Sequence, residues 1–396
     1  MRAGWASEDI TPDRDQDLIG YGFRQERLPP GNAGVAAPLL VRALAVAADD
    51  GPGLIISLDL CILSVTQARQ LRHHLAATCA LPLERVLVAC THTHSGPWLS
   101  DPELDRQLGV FLDTQVRSQD DGYRQRLWQA ALSAAHRALG LMVPVRIHHR
   151  AVPCGLGYDR RVVHEGGLQH CWNPAEQDHL RPQASADPQL DVLVIEQDGG
   201  RRRCLLWNLG VHPVVLGKTS RVISPDYPGV ANDLLATWDD DSFGMFLLGA
   251  AGDVHPWLAT QDDPRAVHSV ARAAAAQVAL VADSGGRRQV PTQLAWATTT
   301  CTIAAAELDL MAWRWGTVVL VAAPVELFAG LAASLRARCA SPLMIISNAN
   351  GWTGYWAPAA AYDHPDYELE DDPAWGRGRG DGERLVEALV ELIAGV

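Results

Sequence analysis

Strand-like apolar runs follow one another in this chain without a helical stretch between them, and that spacing constrains the fold more than any other feature. Residues 39–47 and 53–60 form one such succession, and residues 191–196 and 203–208 another. Two parallel strands need a long, usually helical, crossover, so these neighbours exclude a purely doubly wound parallel sheet. Apolar spacing at the helical period predicts helices near 65–78, 123–139, 229–238, 326–338 and 383–393, with an Ala-rich helix over 271–281. Further strands are expected at 243–249, 293–303, 316–322 and 343–347. The expected class is α/β in the α+β sense: mixed, largely antiparallel sheets layered with helices. No internal repeat and no dividing linker is evident, so residues 1–396 read as one domain.

Charge and composition narrow the function. Forty-six acidic residues against 33 basic ones give a net charge of −13, which argues against nucleic acid or an anionic membrane surface as partner. Arg201-Arg202-Arg203, between a Gly-Gly turn and a strand, reads as a solvated hairpin tip. The N-terminus has no apolar core of signal-peptide length, and no run of about 18 apolar residues provides a membrane anchor. The eight cysteines are scattered with no CxxC pair, which favours reduced thiols and a cytoplasmic location. The polar segment 99–122 reads as a surface loop, with a lid over a nearby pocket as the alternative, and 362–375 is similarly acidic and irregular.

Chemistry concentrates where strands end. Residues 85–89 form an apolar run that leads into Cys90-Thr91-His92-Thr93-His94-Ser95-Gly96-Pro97. At an extended spacing of two, His92 and His94 point to one side and can address one point. By itself such a pair is equally compatible with core-satisfied or solvated histidines. His212 (in Gly210-Val211-His212-Pro213) and His255 (in Gly252-Asp253-Val254-His255-Pro256) also stand where apolar strands enter Pro turns. Glu326 follows the apolar run 317–321 at an expected helix start, where its charge would also suit the helix dipole. Histidines and a carboxylate at converging strand ends suit a zinc-type site with an open position.

These residues bring the chain to a family resemblance. Thr91-His92-Thr93-His94-Ser95-Gly96-Pro97 resembles the signature of the neutral, non-lysosomal ceramidases and their short bacterial relatives. Ala3-Gly4-Trp5-Ala6 through Asp9-Ile10-Thr11-Pro12 is similar to the family's opening strand and turn. Asp159-Arg160-Arg161 is similar to its Asn-Arg-Arg element, with Asp in place of Asn. Ser185-Ala186-Asp187-Pro188 and Ser224-Pro225-Asp226-Tyr227-Pro228-Gly229 follow in the family's order. So do Asn350 through Tyr355, Tyr362, Tyr367-Glu368, and Gly380-Asp381-Gly382-Glu383.

The resemblance implies a four-layer αββα catalytic domain and one zinc ion per chain, held by His92, His212, Glu326 and Tyr355. It implies that His94 handles the nucleophilic water or a leaving-group proton, and that Arg160 and Tyr367 stabilise the oxyanion. The chain also departs from the pattern. His255 occupies the position of a family serine, which removes an acyl-serine route and leaves His255 as an acid/base or substrate-orienting group. The family's C-terminal β-sandwich-like domain and export signal have no counterpart. Trp98, Trp257, Trp352 and Trp356, among thirteen tryptophans, lie near the implied ligands and would form an aromatic wall if they converge. The expected function is zinc-dependent hydrolysis of a C–N amide bond in a small soluble N-acyl or cyclic amide, by attack of zinc-bound water. Amide formation or cyclisation at the same site, and a catalytically silent ligand-binding relative, are the alternatives. The partner is the small-molecule substrate, and homo-oligomerisation is left open.

Overall fold

A computed structural model describes residues 1–13, 16–21, 31–99, 101–102, 104–105, 121–199, 202–238, 242–284, 288–289, 293–369 and 376–396. The main sheet runs, in spatial order, Ser242–Leu248, Arg203–Leu209, Gln189–Gln197, Val143–Pro153, Arg2–Asp9, Leu40–Ala48, Gly51–Leu58 and Val86–Cys90, with Arg288–Gln289 paired to Val143–Pro153 off this path. The second sheet runs Leu294–Ile303, Ala306–Trp315, Val318–Ala322 and Leu343–Ile346.

One plan is used three times. Three antiparallel strands are followed by a helix that returns the chain to a fourth strand, parallel to the third, and a second helix closes the unit. The parallel pairs are Gly51–Leu58 with Val86–Cys90, Arg203–Leu209 with Ser242–Leu248, and Val318–Ala322 with Leu343–Ile346. Their crossover helices are Val65–Thr78, Asp226–Trp238 and Ala329–Arg338; the closing helices are Asp121–Gly140, Arg265–Asp283 and Asp381–Ala394. These are the six α-helices among the described residues. The first two units meet edge to edge where Arg2 and Ala3 pair with Pro144 and Val143, producing the long main sheet. The sequence shows no repeat because each unit keeps only the pattern of burial and not the residues.

Strand alternation decides the layering. One face of the main sheet (Trp5, Leu44, Val46, Ile55, Leu193, Leu206) packs on one face of the second sheet (Trp313, Trp315, Leu320, Met344). The opposite face of the main sheet buries the helices of the first unit around Leu71, Leu75 and Leu127, and those of the second around Leu235, Val270 and Val278. The outer face of the second sheet buries Leu331, Leu335, Leu385 and Leu389. The result is a four-layer αββα sandwich, the expected architecture. No helix among the described residues is long and apolar enough to cross a membrane.

Boundaries differ from expectation at a few informative places. The helix expected from Glu326 begins at Ala329, because Glu326–Leu327 instead pairs in parallel with Tyr355–Trp356. The helix dipole therefore does not explain Glu326; the Ala329 amide donates to Asp253 Oδ1 at 2.8 Å instead. The strands Val143–Pro153 and Ala306–Trp315 were not anticipated. Most of the polar segment after Leu99 lies outside the described residues, as does Arg201 of the arginine tip. The eight cysteines are free thiols.

Candidate metal centre

The three parallel pairs open towards one place at their carboxyl ends, where crevices form in open α/β sheets. Each supplies one side chain to a buried cluster: His92 after Val86–Cys90, His212 after Arg203–Leu209, and Glu326 after Val318–Ala322. Each of these is held from the loop that follows the paired strand. His92 Nδ1 faces the Cys61 carbonyl at 2.9 Å, and His212 Nδ1 faces the Ala251 carbonyl at 2.5 Å. Trp352 Nε1 donates to Glu326 Oε1 at 2.7 Å. Backbone bonds from Cys90 to Asn348, from Asn350 to Val88 and from Gly252 to Leu327 stitch the three units together around the cluster. Gly252 has a steric reason to be glycine: a Cβ there would stand 2.8 Å from Phe328 and 3.0 Å from the carbonyls of Glu326 and Leu327.

A carbonyl only accepts, so both imidazoles carry their proton on Nδ1 and present a bare Nε2. His92 Nε2 and His212 Nε2 are 3.1 Å apart, and each lies near Glu326 Oε2, at 3.3 and 3.2 Å. With both imidazoles neutral these are three acceptors with no donor between them, and all three residues are buried. A divalent cation resolves that conflict, and two imidazole nitrogens with one carboxylate oxygen match the donor preference of zinc. The charges lean the same way. Burial opposes ionisation of Glu326, but His92 and His212 outweigh it and hold the carboxyl well below its usual range. Burial likewise opposes a charge on His92, yet Glu326 and Cys61 draw a proton there in a cation's absence. His212 is pushed down to about 4, first by burial. A second grouping of Cys61, His92 and His94 is also close enough for a metal, with Cys61 Sγ 3.6 Å from His92 Nδ1. That nitrogen is already engaged by a carbonyl, so the His92–His212–Glu326 set is the better site.

The remaining expected residues surround this set. Tyr355 is level with Glu326 in their two-residue ladder, and burial, with Glu326 next, raises its phenol pKa. His94 packs edge-on against His92 with Nε2 atoms 3.4 Å apart, and Tyr21 lies on it at 5.0 Å. Arg160, His255 and Tyr367 form an adjoining cluster. Arg160 donates to His255 Nε2 at 2.9 Å, to the Gly252 carbonyl at 2.7 Å, and to Glu368 Oε1 through both Nε and NH2 at 3.2 and 3.0 Å. Glu368, quoted above only as part of a motif, proves to be the buried anchor of this cluster. It also receives Arg161 at 2.5 Å and His170 at 2.9 Å, and its pKa is about 2: burial opposes the charge, and Arg160, His170 and Arg161 overcome it.

The four tryptophans do not form one wall. Tyr355 and Trp356 are consecutive in a strand and point opposite ways, so Trp356 is in the core under the second sheet's outer helices. Trp98 packs with Trp352, and Trp257 is 44% exposed against Tyr158. The aromatic group facing the Arg160 cluster is Trp172, which was not anticipated; it stacks on His170 at 4.8 Å and lies 5.6 Å from His255 and 5.9 Å from Tyr367. Its position in an irregular segment gives no periodic signal.

No protein-family model matches the chain. Among solved structures, neutral ceramidase from Pseudomonas aeruginosa superposes with a TM-score of 0.80 at 16% identity, covering 99% of this chain and 74% of that one. A ceramidase complexed with C2 gives the same score and identity over 99% and 75%. Likeness at this identity speaks for architecture: the chain has the fold of the neutral ceramidases.

Proposed function

We propose that the chain is a zinc-dependent hydrolase of C–N amide bonds whose substrate is a small soluble N-acyl compound or cyclic amide. The observation that carries this reading is the convergence of His92 Nε2, His212 Nε2 and Glu326 Oε2, buried and within 3.3 Å of one another. These three hold the ion, with Tyr355 the candidate fourth ligand. A zinc ion held there supplies Lewis acidity, which polarises a carbonyl and acidifies water. The chain's own residues contribute orientation and proton handling. His94, whose Nε2 lies 3.4 Å from that of His92, would receive a proton from water and pass it to the leaving amine. Tyr367 and the Arg160 cluster flank the site on the side of His255. The likeness to ceramidases supports amide chemistry, while His255 in the place of the family serine disfavours an acyl-serine route.

Metal analysis of purified protein tests the reading first. About one zinc per chain is expected, and His92→Ala should lose it; a metal-free native protein overturns the proposal. A panel of N-acyl amino acids, cyclic amides and a short-chain ceramide, read by amine release, then identifies the substrate class. Faster turnover of ceramide than of every soluble amide overturns the substrate preference.

A further inference from the structure

The tautomer of His255 has a consequence for how an oxyanion is met at this site. Arginine only donates, so the 2.9 Å contact from Arg160 requires a lone pair on His255 Nε2. The proton of the neutral ring is therefore on Nδ1. That atom is buried and has no hydrogen-bond partner among the described residues. An unpartnered buried N–H is costly to a fold, and a catalytic or binding role is one reason such a group is kept. The ring stands 5.7 Å from that of His212, a candidate metal ligand, and 5.6 Å from that of Trp172.

Arg160 is poorly placed to do this itself. Its Nε and NH2 hydrogens go to Glu368 and Gly252, and its NH1 serves His255, with Tyr355 as a further acceptor beside it. Its guanidinium is fully engaged within the protein, so its charge reaches the site through the ring it polarises.

Building on the amidase reading, we infer that His255 is the hydrogen-bond donor to the substrate carbonyl oxygen, through Nδ1–H, and that Arg160 is a positioning residue that fixes this tautomer. His255 then acts as neither nucleophile nor base: it presents a preorganised donor where negative charge develops. The substrate class follows, an amide whose carbonyl oxygen lies between the metal ligands and the ring, with its flatter apolar side towards Trp172.

Three variants separate this role from a structural one. Asn places an amide nitrogen where Nδ1 stands, Gln places its polar end where Nε2 stands, and Phe keeps only the ring. On the panel amide that wild-type enzyme turns over fastest, His255→Phe and His255→Gln should lower kcat about 100- to 1,000-fold with little change in KM. His255→Asn should recover at least about tenfold of that loss. All three should keep the zinc that His92→Ala loses. Long-range 15N–1H correlation on the wild-type protein provides a readout free of turnover: His255 should show a protonated Nδ1 and a bare Nε2. A proton on Nε2, a His255→Phe enzyme with wild-type kcat, or equal rates for the Asn and Gln variants would each overturn the inference. Absence of zinc would instead remove the underlying amidase reading, leaving the tautomer to be judged by its own spectrum.

Discussion

Glu368 shows how much of the site depends on a residue that touches no candidate ligand. Its side chain is fully buried, and three cationic or proton-donating groups converge on its two oxygens. Because the folded-state pKa is depressed to about 2, the carboxylate contributes stability above its unfolded value near 4.5 and loses it as pH falls towards 2. Thermal melts between about pH 5 and pH 2 should therefore show a steep loss of stability. Glu368→Gln should flatten that slope and lower stability at pH 7 by about 3–5 kcal/mol, since it leaves Arg160 and Arg161 buried with half their acceptor removed. An unchanged slope in the variant would place the acid-sensitive group elsewhere. The sequence made Glu368 visible only as the neighbour of Tyr367; its role depends on Arg160, Arg161 and His170, about 200 residues away.

At the scale of elements, the strand-end histidines were legible and the connections that aim them were not. His92 and His212 each follow an apolar run that can only be a buried strand, and a site at such an end is a general expectation. The two-residue ladder of Glu326–Leu327 with Tyr355–Trp356 has no such signature. It converts an apparent helix start into a strand that carries a candidate ligand, and propensity favours the wrong answer because the next residues do form a helix. Val143–Pro153 escaped notice for a related reason. Its middle carries His148, His149 and Arg150 in succession, which breaks the apolar alternation begun by Val145 and Ile147. The ladder also depends on the close approach of Gly252. Gly252→Ala should drive a methyl into Phe328 and the Glu326 backbone, destabilising the fold by about 1–3 kcal/mol. Zinc affinity, measured against a competing chelator, should fall by about 10- to 100-fold, the range seen when groups supporting ligands are disturbed. Wild-type affinity in a destabilised variant would separate the ladder from the metal centre.

The whole molecule is best understood as three copies of one supersecondary plan, each contributing one strand-end side chain to a common point. The sequence conveyed the antiparallel runs and the helices, hence the layered class, because binary patterning is local. It could not convey the threefold use of the plan, since the units share topology and burial without sharing residues; nor could it say that the second sheet faces both halves of the main one. That arrangement has a thermodynamic consequence. His92 comes from the first unit, His212 from the second and Glu326 from the third, so an ion bound by all three cross-links the units and is absent from the unfolded chain. Binding to the folded state alone adds about 2.7 kcal/mol at a free-metal concentration one hundred times Kd. Chelation of the native protein should therefore lower Tm by several degrees, and zinc should restore it. The shift should vanish in His92→Ala, His212→Ala and Glu326→Ala alike, because each removes one unit's hold on the ion. A chelator-induced shift that survives in any one of the three would mean that the ion is held by fewer than three units, and the centre would then be a local site and not the joint of the fold.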